Sequence, residues 1–176
     1  MRAGSGVWAL LRMQWRTAWL WLLLSPTLLA ALVVAIASGV KDLYGEETER
    51  TIYAATMGAS PAQITMNGRG YDLNVLGGIA AYEVGFMGQL LLPLVGVLLA
   101  VRLTRAPESN GVLDLLTSTR VHRTAVPVAA FMSLVISWAV FKLGCWAGLV
   151  MLGYPATGSA GYSLAMAGFG LAWSGV

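Results

Sequence analysis

The sequence contains a single cysteine, Cys145, and a single histidine, His122. A disulfide within the chain needs two cysteines, and a Cys/His metal centre needs several such ligands, so the sequence excludes both. Neither of its two lysines, Lys41 and Lys142, follows a glycine. The Gly-Lys pair of a phosphate-binding P-loop is therefore missing, and the chain does not hydrolyse ATP by that route.

Charge is also scarce: 11% of the residues are charged and 57% are hydrophobic, whereas soluble domains carry roughly 25% charged residues. A chain of this size cannot hide so much apolar surface in a water-soluble core. The net charge of +3 does not indicate nucleic-acid binding, because the basic residues flank apolar runs, as the positive-inside rule describes. The composition predicts an all-α integral membrane protein.

Three apolar runs are long enough to cross a bilayer, which takes ~20 residues: 17–40, 83–101 and 125–152. The first is too long for the core of a cleaved signal peptide, which has about 7–15 residues, and is predicted to be retained. A fourth run, 162–176, has only 15 residues. We therefore expect a multi-spanning helix bundle with three full spans and an incomplete fourth, forming the N-terminal part of a longer membrane protein. A short re-entrant segment is the alternative for the fourth run.

Arginines set the predicted orientation. The N-terminal segment and the 102–124 loop carry an excess of arginine, which places both, and the N-terminus, in the cytoplasm. The 41–82 segment is then the outer loop. Residues 1–16 combine tryptophans on one helical face with three arginines, which predicts either an interfacial helix or an extension of the first span.

Each loop is predicted to contain a short helix. In the outer loop a helix is expected over 47–57, ended by Ser60-Pro61, with Gly77 and Gly78 marking turns. In the cytoplasmic loop, Pro107 to Asn110 resembles a helix start, followed by an amphipathic pattern. That second helix suits either docking on a soluble partner or resting on the lipid surface.

Two ionisable residues fall within the spans, Glu83 and Lys142, and such groups are functional candidates because burying charge in a membrane is costly. Gly144 and Gly148 form a G-x-x-x-G pattern that permits close helix packing. The spans contain serines but no histidine, and Lys142 is the only plausible base for an intramembrane enzyme. So little of a catalytic constellation is present that no catalytic residues are expected.

Short motifs in both loops occur in a recognisable order. The outer loop and its flank contain Tyr53-Ala54-Ala55-Thr56, Ser60-Pro61-Ala62, Tyr71-Asp72-Leu73, Leu76-Gly77-Gly78 and Glu83. The inner loop contains Arg102-Leu103-Thr104-Arg105, Glu108, Gly111, Asp114-Leu115-Leu116 and Arg123. This order resembles the start of type-2 ABC exporter permeases, in the actinobacterial subgroup called exporters of polyketide antibiotics, over nearly the whole chain.

The resemblance implies a permease in the plasma membrane that exports small amphiphilic compounds, including antibiotics. It has no cofactor of its own; a separate ATP-binding cassette subunit would hold ATP and magnesium. The 102–124 loop would contain the coupling helix that meets this partner. The implied coupling residues are Glu108, Gly111, Asp114 and Leu116. This loop is less charged than is usual in the family.

Three other functions are compatible with the residues alone. A proton-coupled carrier would use Glu83 or Lys142. An integral-membrane enzyme would depend on Lys142 as its base, and a passive assembly protein would need neither. The exporter and the carrier differ in whether an ATPase is required.

Overall fold

A computed structural model describes the backbone of residues 3–109 and 125–175 and the side chains of 6–104 and 125–175. Within these ranges the ordered elements are six α-helices. They are α1 (Ala3–Leu43), α2 (Glu47–Met57), α3 (Pro61–Asn67), α4 (Leu76–Ser109), α5 (Ala125–Met151) and α6 (Ala156–Ser174). Three segments are long and apolar enough to cross a membrane: Gly6–Leu43, Leu76–Thr104 and Ala125–Met151. The predicted all-α, multi-pass membrane bundle with three full spans is confirmed.

Helix α1 runs from Ala3 to Leu43 without a break at residue 16. The chain between Arg12 and Thr17 contains neither proline nor glycine to interrupt the helix. The tryptophan- and arginine-bearing segment 1–16 is therefore continuous with the first span over its described part. This continuity favours the alternative in which these residues extend the span.

Helix α1 also passes through Pro26, which is fully buried. A proline lacks the N–H that would pair with the carbonyl of the residue four positions earlier, here Leu22. The hydroxyl of Ser137 in α5 donates a hydrogen bond of 2.7 Å to that carbonyl oxygen. A side chain of the neighbouring helix thus satisfies the free carbonyl, as membrane helices require.

Between α1 and α4 the chain forms two short helices. Helix α2 has the predicted bounds, and the Glu49 carboxylate accepts a hydrogen bond from the N–H of Glu46 at its start. Helix α3 was not predicted. Pro61 stands at its first position, where a missing N–H costs nothing, so this proline begins a helix, whereas α2 already ends at Met57 with Gly58 as its C-cap. Helix α3 ends at Gly68, which has φ of +80°.

The second span begins earlier than predicted, at Leu76 rather than at residue 83. Gly77 and Gly78 lie inside α4 and are not turns. Gly78 is required for a different reason: a Cβ there would overlap the carbonyl of Asp72, because the preceding loop folds tightly against the helix. The outer loop therefore ends before residue 76, not at residue 82.

The inner end of α4 also extends past the predicted boundary of 101, to Ser109. Pro107, expected to open a new helix, lies in the last turn of α4. The carbonyl that this proline leaves free belongs to Leu103, and the Nε2 of Gln14 in α1 approaches it at 3.5 Å. A partner on another helix again compensates for a proline, which is why the helix continues through it.

Helix α5 matches the predicted third span, and α6 begins at Ala156 instead of Tyr162. The turn between them is short because Gly153 takes a φ of +91°, which glycine adopts without strain. With 19 residues, α6 is about 28 Å long. The α1–α5 contact is the most extensive in the bundle, and α4 and α6 pack beside it.

Candidate functional site

The four predicted coupling residues lie at the edge of the described structure or beyond it. Glu108 belongs to the last turn of α4, but its side chain is outside the described residues. Gly111, Asp114 and Leu116 fall within 110–124, which is also outside them. The coupling role of all four residues therefore remains a prediction.

The helices on either side of that segment are joined through Gln14 of α1. Its side chain is only 4% exposed. The amide Nε2 reaches the Leu103 carbonyl of α4, and Oε1 accepts a hydrogen bond of 2.9 Å from the Ser133 hydroxyl of α5. A buried amide that serves both neighbours fixes their spacing, because losing either bond would leave a polar group unpaired in an apolar region. Leu103, two turns before the end of α4, and Ser133, in the third turn of α5, are thus both joined to α1.

Arg102 lies on the same side of the bundle. Its guanidinium carbon is 4.9 Å from the centroid of the Trp21 ring in α1. This cation–π contact joins α1 and α4 close to the predicted cytoplasmic surface.

At the opposite end, Glu83 accepts a hydrogen bond from the hydroxyl of Tyr53 in α2. Tyr53 is buried, and its ring packs edge-on against Tyr44 with centroids 4.8 Å apart. Burial, followed by the nearby Glu83 carboxylate, raises the pKa of Tyr53 above its ordinary value of 10.0. Glu83 therefore holds an outer helix on the bundle while its own side chain stays exposed.

Lys142 is half-buried in α5. Within the described residues it forms no ion pair with Glu83, whose carboxylate accepts from Tyr53. The two glycines of the G-x-x-x-G pattern both face α1. A Cβ on Gly148 would overlap the side chain of Val34, whereas one on Gly144 would lie 3.4 Å from the Cβ of Ala30. The distance to the facing Cβ is nearly the same at the two glycines, 3.3 Å to Val34 and 3.4 Å to Ala30, so the overlap at Gly148 comes from the γ carbons of Val34.

Arg50 of α2 joins parts of the segment between α1 and α4. The sequence analysis did not identify this residue. Its guanidinium donates to three backbone carbonyls: Gly45 at 2.6 Å, Tyr44 at 3.2 Å and Asn74 at 3.2 Å. One side chain therefore joins the end of α1 to the loop before α4. The sequence feature that could have identified it is an arginine among acidic residues. That feature suggests an ion pair more readily than hydrogen bonds to several backbone carbonyls.

Two further bonds join the outer end of α1 to the α5–α6 turn. The Lys41 ammonium donates to the Leu152 carbonyl at 2.6 Å, and the Tyr154 hydroxyl donates to the Ala37 carbonyl at 2.8 Å. A lysine at the C-terminus of α5 also suits the negative end of the helix dipole. Side-chain hydrogen bonds thus join the first, second and third spans at this end of the bundle, which the sequence predicts to be the outer one. We call the group of residues there the outer cap; its members are Lys41, Tyr44, Arg50, Tyr53, Glu83 and Tyr154.

Comparison with known proteins shows what the chain is similar to. Over 158 residues, or 89% of its length, the chain is 32% identical to a multidrug efflux system permease protein of Mycobacterium tuberculosis. The chain is similar to a multidrug efflux permease. The matched region is 28% of that relative, so the chain spans less than a third of its length. No family model matches the chain.

Similarity to an efflux permease supports the coarser part of the predicted resemblance, an exporter permease in a membrane. The name of the relative mentions neither a polyketide antibiotic nor an ATPase. The matched region is long enough to include most of the described bundle.

Within the described ranges, no three His, Cys, Asp or Glu side chains form a group that could hold a metal ion. The polar side-chain contacts between residues far apart in the sequence join different helices of the bundle.

Proposed function

We propose that the chain is part of the permease of an ATP-driven exporter that moves amphiphilic compounds, including antibiotics, out across the plasma membrane. The observation that carries this proposal is the 32% identity to a multidrug efflux permease over 89% of the chain. The motif order in both loops supports the finer assignment to type-2 ABC exporters of the polyketide-antibiotic subgroup. ATP and magnesium would be bound by a separate subunit.

The packing around Gln14 supports a route for coupling. A partner that pushes on residues 110–124 would act on the ends of α4 and α5, and within about two turns of those ends both helices are bonded to Gln14. Displacement of one end must therefore move α1 or break a buried hydrogen bond. In this proposal the bundle has two alternative packings, and an ATP-driven partner would bias the equilibrium between them.

The proton-coupled carrier has less structural support. Its proposed carboxylate, Glu83, is exposed and bonded to Tyr53 at the outer cap, and no ion pair joins it to Lys142 in the described bundle. A carrier residue must meet water from both sides in turn, whereas Glu83 contacts an outer helix.

The test is co-purification of an ATP-binding subunit with the full-length protein from membranes, together with ATP-dependent uptake of a fluorescent amphiphile into inverted vesicles. The Asp114→Arg and Leu116→Asp variants should lose both signals, because they place charges on the predicted docking face. Asp42→Arg and Leu43→Asp are matched controls at the predicted outer end of α1, where both side chains are exposed, and should keep both signals.

Failure to co-purify an ATPase with the unmutated protein would overturn the proposal. Equal losses of co-purification and uptake in the two pairs of variants would also overturn it. The substitutions would then act by damaging the protein in general and not by blocking the docking of the ATPase.

A further inference from the structure

One exposed face of α1, near its start, combines two arginines with two tryptophans. Trp8, Arg12, Arg16 and Trp19 follow one another at intervals of four, four and three residues, which places them on one side of the helix. We call these four residues the arginine stripe. All four side chains are exposed, Trp8 by 67% and Trp19 by 50%. Gln14, on the opposite side of the helix, is buried against α4 and α5, so the stripe points away from both.

Arg16 marks the boundary of the hydrocarbon at this end of α1. It is the last charged residue before the uncharged run 17–40, whose length at about 1.5 Å per residue exceeds the ~30 Å hydrocarbon core. Arg12 lies one turn, about 6 Å, farther along the axis, and a headgroup layer is also about 6 Å deep. The two guanidinium groups therefore lie at the level of the lipid phosphates.

Helix α4 supports this level independently. The bond from Gln14 to the Leu103 carbonyl brings that part of α4 beside residues 12–16 of α1. The neighbouring Arg102 places its guanidinium carbon 4.9 Å from the centroid of the Trp21 ring. Arginines next to a span and tryptophans at its interface are characteristic of the membrane boundary. Two helices thus contribute arginines to one layer, and Arg102 is already paired with an aromatic ring.

The distribution of acidic residues leaves the stripe with strong positive charge. No acidic residue precedes Asp42 in the sequence, and α5 and α6 contain none. Six of the eight acidic residues lie within 42–83, towards the other end of the bundle, while Glu108 and Asp114 are outside the described side chains. Helices α1, α5 and α6 therefore offer Arg12 and Arg16 no nearby carboxylate, and an anion from the surroundings is attracted to them.

We propose that the arginine stripe binds the phosphate of an anionic phospholipid in the leaflet on the predicted cytoplasmic side. Side chains four residues apart on a helix have Cβ atoms about 6 Å apart, so the guanidinium groups of Arg12 and Arg16 can reach one phosphate. The fork of a guanidinium also matches phosphate oxygens. Trp19, one turn towards the hydrocarbon, suits the glycerol region. Lipid is favoured over a soluble protein because the stripe lies at the headgroup level.

The test measures lipid binding to the full-length protein in a neutral detergent by native mass spectrometry. The protein is titrated with phosphatidylglycerol, which is anionic, or with phosphatidylcholine of the same acyl chains, which is zwitterionic. We expect the unmutated protein to bind phosphatidylglycerol more tightly. Arg12→Gln and Arg16→Gln should each weaken that binding about fivefold, and the double variant about thirtyfold, the worth of basic residues near an anionic surface. Binding of phosphatidylcholine should stay unchanged.

Arg69→Gln is the matched control for the single variants. It removes the same charge from an exposed arginine of the predicted outer segment. Its affinity for phosphatidylglycerol should stay within about twofold of the unmutated value, because salt screens charges at opposite ends of the bundle from each other. Thermal unfolding of the lipid-free variants should match that of the unmutated protein, since all three arginines are exposed.

Equal losses of affinity in Arg69→Gln and in the stripe variants would overturn the proposal, because binding would then follow net charge and not the stripe. Unchanged affinity for phosphatidylglycerol in the double variant would overturn it as well. If that variant instead lost a co-purifying soluble protein, the stripe would be a protein docking surface. None of these measurements involves ATP or transport, so failure here is distinguishable from failure of the exporter assignment.

Discussion

The hydroxyl of Ser137 lies 2.7 Å from the carbonyl oxygen of Leu22, the carbonyl that Pro26 deprives of its helical partner. Both groups are buried between α1 and α5, where water does not replace a lost bond. The defect in one helix is thus corrected by the other. The hydrogen bond therefore fixes how α5 is rotated about its own axis, and it fixes the position of α1 along the axis of α5.

Replacing Ser137 by alanine should destabilise the bundle by about 1 to 2 kcal/mol, because the Leu22 carbonyl is left unpaired. The loss should be much smaller in a Pro26→Ala background, where the restored N–H of residue 26 supplies the missing donor. The unmutated protein, the two single variants and the double variant form a double-mutant cycle. Their free energies of unfolding, measured by reversible unfolding in mixed micelles, give the coupling energy between Ser137 and Pro26.

The matched control is Ser25→Ala. The Ser25 hydroxyl bonds the Trp21 carbonyl within the same helix, where a backbone N–H already serves that carbonyl. Its removal should therefore cost little. If Ser137→Ala costs the same with and without Pro26, the hydroxyl does not compensate for the proline.

The two glycines of the G-x-x-x-G pattern should respond differently to alanine. Gly148→Ala should destabilise by about 1 to 3 kcal/mol, since the new methyl overlaps Val34, and Val34→Ala should recover much of the loss. Gly144→Ala should be tolerated, because its methyl would meet Ala30 at an ordinary contact distance of 3.4 Å. Thermal unfolding of the single and double variants checks this, and equal losses at the two glycines would contradict it.

Much of the fold could be predicted because apolar length is a strong signal. The third span was placed almost to the residue, and α2 has its predicted bounds. Helix ends were harder, and both ends of α4 show why. Gly78 signals a turn in isolation, yet the structure uses its missing side chain for packing against Asp72. Pro107 signals a helix start, yet it lies in the last turn of α4. The carbonyl that it leaves without a partner is that of Leu103, which Gln14 approaches.

The outer cap was beyond prediction for a related reason. Glu83 was identified as an ionisable group in a span, but its partner Tyr53 lies 30 residues earlier in the chain. Arg50, Lys41 and Tyr154 act on backbone carbonyls, and every residue presents a carbonyl. Sequence patterns can identify a donor of this kind, but not which of many identical acceptors it reaches.

Tyr53 should make the stability of the outer cap sensitive to alkaline pH. Its pKa is raised in the folded chain, so above the ordinary value of 10.0 the unfolded chain releases a proton that the folded chain retains. The stabilising contribution is complete below pH 10 and declines as the pH rises further. The loss of thermal stability between pH 9 and pH 11 should therefore be smaller in Tyr53→Phe than in the unmutated protein.

Tyr71→Phe serves as the comparison for this titration, because the Tyr71 side chain is 76% exposed. It should show the same pH dependence as the unmutated protein. An identical alkaline loss in Tyr53→Phe would mean that Tyr53 is not responsible.

Neutralising Glu83 separates the exporter from the carrier. Glutamine keeps an oxygen that accepts from the Tyr53 hydroxyl, so Glu83→Gln removes the charge while the outer cap keeps its bond. An ATP-driven exporter should retain most of its ATP-dependent uptake into inverted vesicles, and its transport should not require a pH gradient. A proton-coupled carrier should lose transport altogether, because the group that binds the proton is gone.

Tyr53→Phe, which removes the bond and keeps the charge, is the reciprocal control. Loss of transport in Glu83→Gln alone would favour the carrier, whereas loss in both variants would assign Glu83 to holding α2 against the bundle.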